Sequence, residues 1–188
     1  MSVRLHDAGR LDVAAFAREA AELGGEWTVA QLPRVLEACH ADAAASPEPV
    51  RWQARGEARP ARGGAVEVWL HLTIDAPLTL VCQRCLGPVA SVQHVERSLR
   101  FVAGEQQAAE LDAESEDDVL ELTRSLDLKT LVEDELLLAL PLVPRHEVCP
   151  PDAPARYVAD SADEAPATEQ PHPFDALAAL KRDPPTPH

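Results

Sequence analysis

The chain has 188 residues, 46% of them apolar, and a net charge of -15, which suits one well-packed core and argues against a protein that grips nucleic acid through bulk positive potential. The opening MSVRLHDAGRLDVAAF holds no long apolar run and no cleavage pattern, so neither a secretory leader nor a membrane span is expected. In the cytoplasm that this implies, the four cysteines read as thiols or metal ligands and not as a disulfide scaffold.

Taken in order, LDVAAFAREAAELGG places Val13, Phe16, Ala17 and Ala20 on one helical face, with Asp12 as cap and Gly24-Gly25 as the stop. PRVLEACH predicts a shorter helix that begins at Pro33, in which Cys39 is a core residue. From Val50 the period becomes two. VRWQARGEAR and VEVWLHLTID alternate as half-buried strands, with a kink at Ala76-Pro77. LTLVC then turns through QRCLGP and returns as VASVQHVERSLRFV, which completes an antiparallel meander with a bulge expected between Val92 and Val95.

Charge is unevenly distributed along the chain. Residues 1–104 carry 11 basic and 12 acidic side chains, and residues 105–188 carry 6 and 20. EQQAAELDAESEDDVLE, from Glu105 to Glu121, has no base at all, and like charges at that density predict a solvated acidic loop. Its residues Glu114, Glu116, Asp117 and Asp118 are the candidate landing site for a basic partner. Asp127 then caps a helix through LKTLVEDELLLAL, which Pro141 ends and whose apolar last turns call for cover by the sheet. Glu133, Asp134 and Glu135 are successive on that helix and point about 100° apart, so they suit a polar face better than a Mg²⁺ site. Beyond Cys149 the Pro, Ala and acid content predicts a disordered linker over 151–172. A short amphipathic segment follows over 173–182, where Phe174 and Leu177 either dock in cis or meet a partner, and 183–188 form a tail.

Two motifs carry chemistry. Cys82 and Cys85 form C-x2-C in a strand-to-strand turn, and His146 with Cys149 forms H-x2-C far downstream. Together they supply four ligands of the kind that tetrahedral zinc prefers, although a structural turn with incidental thiols fits the same residues. A redox dithiol lacks the helix N-terminus that would activate it. The second motif is basic. Arg51, Arg55 and Arg59 share one side of a strand, and Arg84 at the hairpin tip could join them against RNA phosphates.

The blocks VCQRCLGPV, LVEDELLLALPLVPRHEVCP and HPFDALAALK, with the acidic stretch between the first two, resemble the YceD family, the large ribosomal RNA subunit accumulation proteins of bacteria and plastids. The likeness runs from about Leu70 to Lys181 and carries over Cys82, Arg84 and Cys85, the helix from Glu133 to Pro141, and His146 with Cys149. It implies a cytoplasmic factor needed to make, process or stabilise 23S ribosomal RNA, with no established catalytic activity. The expectation is therefore one α+β domain over 1–150 with an antiparallel sheet and packed helices. It binds precursor or mature 23S RNA, or a basic large-subunit ribosomal protein, with structural zinc as the candidate cofactor and no membrane. A metal-dependent ribonuclease or a thiol redox protein is the enzymatic alternative.

Overall fold

The computed structural model describes residues 6–60, 66–115 and 118–150. The expected linker, the 173–182 segment with Phe174 and Leu177, the tail, and Glu116 and Asp117 lie outside the described residues. The architecture is α+β: helices pack on one five-stranded mixed sheet.

Helix α1, Val13–Arg18, begins as expected, with the Asp12 side chain accepting from the Ala15 N–H, and buries Val13, Phe16 and Ala17. It stops earlier than the periodicity suggests. The Ala21 N–H bonds to the Phe16 carbonyl and the Ala20 N–H to the Ala17 carbonyl, a Schellman end that forces Ala20 to φ 46°. Gly24-Gly25 is therefore not a helix stop. It lies inside a strand, β1, Glu22–Trp27, where Gly25 leaves room for the Trp52 ring, 3.0 Å from where its Cβ would sit. Helix α2, Pro33–Ala38, starts at Pro33, and Cys39 at its end is half-buried, its thiol pushed up by burial.

The meander appears as β2, Val50–Pro60, β3, Val66–Val81, and β4, Pro88–Val102. Val50, Trp52, Ala54, Leu70, Leu72, Ile74, Val95 and Leu99 line the core face. The β3–β4 register is constant from Val68 opposite Phe101 to Val81 opposite Pro88, and it runs through Pro77. The expected bulge is absent from this ladder. The apolar alternation breaks because β2 pairs only as far as Asp75, so the hairpin beyond it has two strands and Val92 projects 77% exposed. Gly56 sits beneath α1, and a Cβ there would lie 2.7 Å from the Phe16 carbonyl.

The acidic loop is a second correction. Glu105–Glu114 is helix α3, which leads to β5, Asp118–Glu121, parallel to β4. Its glutamates, glutamines, alanines and leucine are strong helix formers. Ala108 is buried, and Asp112 accepts the Val119 N–H (3.0 Å), so helix propensity and two docking points outweigh the like charge. Helix α4, Leu128–Ala139, has the predicted cap, Asp127, and the predicted buried side, Leu128, Leu131, Val132 and Leu136. Its last turn is only partly covered: Leu138 is 75% exposed. Strand order is β1-β2-β3-β4-β5, which leaves β1 at one edge.

Candidate functional site

The β3–β4 hairpin closes on a knuckle. The Cys82 N–H donates to the Gly87 carbonyl (2.9 Å), the Leu86 N–H donates to the Cys82 carbonyl (2.8 Å), and Leu86 takes φ 60°. This turn aims Cys82 and Cys85 at the strap that follows α4, and the Gln83 N–H ties the two together through the Pro144 carbonyl (2.8 Å). His146 and Cys149 on the strap complete a cluster whose donor atoms all lie within 4.8 Å of one another.

The spacing is that of a tetrahedral site. Zn–S bonds near 2.3 Å and Zn–N bonds near 2.0 Å place sulfurs about 3.8 Å apart and sulfur about 3.5 Å from nitrogen. Cys82 Sγ lies 3.9 Å from Cys149 Sγ, and His146 Nδ1 lies 3.5 Å from Cys85 Sγ and 4.0 Å from Cys149 Sγ. His146 Nε2 lies 2.9 Å from the Pro88 carbonyl, which can only accept, so Nε2 carries a hydrogen and Nδ1 is the ring nitrogen that faces the thiols. Burial pushes the Cys82 thiol up. The backbone N–H groups of Cys85, His146 and Arg84 outweigh it and hold the pKa at about 5. Cys85 accepts the Gly87 N–H, which lowers its pKa, but burial and the neighbouring thiols Cys149 and Cys82 raise it overall.

Arg84 belongs to this cluster. Its Nε donates to Cys149 Sγ (3.0 Å), and Nη2 donates to the carbonyls of His146 (3.0 Å) and Glu147 (3.2 Å). Val81, the end of β3, lies six residues past Asp75, the last β3 residue paired with β2, which is about 20 Å along the strand, and Arg84 lies in the turn beyond it. Arg84 is thus placed apart from the arginines of β2.

Those arginines have partners of their own. Arg51 pairs with Glu26 (3.0 Å), while Arg55 (3.9 Å) and Arg59 (3.0 Å) share Glu57. Arg59 also covers the buried Trp69 ring at 4.4 Å, and Arg100 pairs with Glu67 (2.9 Å). Glu57 is held down at about 2, first by the Arg59 hydrogen bond and then by that of His71. On the same face the His94 pKa is raised by its hydrogen bonds to Asp75 and Glu96.

One set of residues was not assigned from sequence. Ser98 Oγ lies 2.9 Å from His71 Nδ1, and His71 Nε2 lies 2.6 Å from Glu57 Oε2. The signal was available in β3, whose alternate residues Glu67, Trp69, His71, Thr73 and Asp75 face the same side as the arginines. The set spans three strands, Glu57 on β2, His71 on β3 and Ser98 on β4.

The acidic trio on α4 is structural. Glu133 Oε1 accepts the Arg34 N–H at the start of α2 (2.8 Å), Asp134 pairs with the Arg34 guanidinium, and Glu135 accepts from Arg97 Nε (2.8 Å). Glu133 and Glu135 are both buried. The candidate partner residues Glu114 and Asp118 end α3 and begin β5.

A protein-family model described as "Large ribosomal RNA subunit accumulation protein YceD" matches residues 70–181. A curated relative from Haemophilus influenzae bearing that same description is 35% identical over 111 residues, 58% of this chain and 63% of the relative. The alignment thus spans less than two thirds of the relative's own length. No solved structure gives a significant match.

Proposed function

Because the chain belongs to the YceD family of large ribosomal RNA subunit accumulation proteins, we propose that it is a cytoplasmic, non-catalytic binding factor that sustains 23S ribosomal RNA by holding a basic large-subunit ribosomal protein. One observation carries the choice of ligand. Each arginine of the β2 stripe already faces a carboxylate, so the described surface offers phosphate no uncompensated basic stripe. The excess charge is negative, which suits a basic protein through electrostatic complementarity.

In the same reading Cys82, Cys85, His146 and Cys149 hold a zinc ion. Four protein ligands leave no open position, so the ion would supply cross-linking between hairpin and strap and no hydrolytic water. Arg84 positions Cys149 and the strap carbonyls. The non-catalytic part of the reading is supported by the acids of α4, each engaged by a neighbouring element.

A second reading keeps direct 23S RNA contact through Arg51, Arg55 and Arg59, favoured by the exposure of Arg51 and Arg55 and by the long 3.9 Å reach from Arg55 to Glu57. Cross-linking in growing cells, followed by identification of what is attached, separates the two. The first expects a basic large-subunit protein on the chain; RNA alone would overturn it. In the second, neutralising the three arginines weakens RNA binding and flattens its salt dependence.

A further inference from the structure

We propose that the free edge of β1 is where the basic partner docks, by adding an extended segment to the sheet as a sixth strand. This rests on the basic-protein reading above and names its surface.

Backbone parity is the first observation. The Gly56 N–H donates to the Ala21 carbonyl (2.9 Å), in register with the ladder that sets Glu22 opposite Arg55. Hydrogen-bonded pairs alternate along an antiparallel ladder, so Leu23, Gly25 and Trp27 exchange bonds with β2. The N–H and C=O groups of Glu22, Gly24 and Glu26 then point away from β2 and have no partner among the described residues. That row is the template on which an extended chain forms main-chain bonds.

Charge selects the occupant. Glu22 and Glu26 are exposed and bracket Gly24 on the solvent face; Glu26 is already shared with Arg51 (3.0 Å), whereas Glu22 makes no ion pair among the described residues. With no side chain at Gly24, two shallow troughs open beside it, of about 400 and 330 Å³, sharing Gly24, Gln53 and Thr73. A strand added here places two residues four apart beside Glu22 and Glu26, with the residue between them leaning over Gly24 toward Gln53 and Thr73. Lysine or arginine fits the position beside Glu22, a second base beside Glu26 would share that carboxylate with Arg51, and a polar side chain fits the middle. On the other face the added strand runs beside half-buried Leu23 and Trp27, so the alternate residues are apolar. A second copy of this chain is disfavoured, because pairing β1 with itself sets carboxylate against carboxylate. The occupant is a basic, alternating, extended segment of another protein.

The test uses the full chain and a capped synthetic heptapeptide, Thr-Lys-Val-Thr-Val-Lys-Thr, with a control carrying glutamate in place of both lysines. Binding of the basic peptide slows amide hydrogen exchange at Glu22, Gly24 and Glu26 and leaves α4 unaffected. The double variant E22K/E26K, whose fold is checked by its melting temperature, weakens the peptide by about tenfold. Equal binding of the acidic control, or exchange unchanged at the three amides, overturns the proposal, as does concentration-dependent dimerisation through β1. If a basic large-subunit protein co-purifies with both the wild type and E22K/E26K, the edge is wrong and the proposed function stands. If none co-purifies with the wild type, the proposed function falls.

Discussion

The solvent face of the sheet and the tip of the β3–β4 hairpin both gather polar side chains, and they treat them in opposite ways. On the sheet, charges are answered locally: Arg51 by Glu26, Arg59 by Glu57, Arg100 by Glu67. At the tip, three thiols, one imidazole and a row of N–H donors converge with a single arginine at their rim, a set that favours the Cys82 thiolate and could hold a cation. A balanced lattice is a surface that stays soluble and rigid, whereas an unbalanced cluster is a place built to take something up.

That contrast can be broken most severely at the tip. Removing metal with a chelator, or replacing Cys82 with serine, is expected to take bound zinc from one per chain to none, read by elemental analysis. The accompanying loss of stability is about 3 kcal/mol if free zinc stands near a hundred times its dissociation constant. A protein purified without chelators that carries no metal would leave the cluster a plain turn. Next comes the packing beneath the balanced face. Gly56→Ala drives a methyl into the Phe16 carbonyl and is expected to destabilise by about 2 kcal/mol in denaturant titration, through overpacking of α1. Arg97→Ala leaves buried Glu135 without its guanidinium, an effect of similar sign and, with Arg97 itself partly exposed, about 1–2 kcal/mol.

Titration sharpens the sheet side of the comparison. With its pKa lowered to about 2, Glu57 contributes stability that is complete above the ordinary carboxylate range and is lost as pH falls through about 2. Carbon-detected NMR should find it among the last carboxylates to protonate, and R59Q should raise its pKa. His94 runs the other way. Its raised pKa gives stability present below the ordinary histidine value and lost as pH rises through the folded one, and D75N should lower that folded pKa. The smallest effect expected is a gain. Ala20→Gly relieves the positive φ at the end of α1 and should stabilise by about 0.5–1 kcal/mol.

Legibility from sequence followed the range of the interaction. The meander, the Asp127 cap and the start of α2 at Pro33 are written in period and capping residues a few positions apart, and they appear where those signals lie. The four candidate ligands were legible as residue types, while their convergence required the strap to fold back along the hairpin, which no local pattern encodes. Strand β1 was hidden because ELGGEW reads as a helix end, and only pairing with β2 gives two glycines a place in a strand. The arginine stripe is read from sequence without weighing its strand mate Glu57, which shares that side of β2. The near-equal 11 bases and 12 acids of the first 104 residues were the signal that its charge would be met. For α3, net charge was weighed above intrinsic propensity, and propensity decided.

Cys82 and Cys149 are 67 residues apart in the chain and 3.9 Å apart in space. A zinc ion bound by these residues would close β4, α3, β5 and α4 into a ring, so that a protease nicking the backbone near Gly104 would cut a loop and release nothing. If zinc is bound as proposed, the two pieces stay joined through the ion as well as through the β4–β5 ladder and the packing of α4, and a gel run with and without chelator after limited digestion tests for that ring.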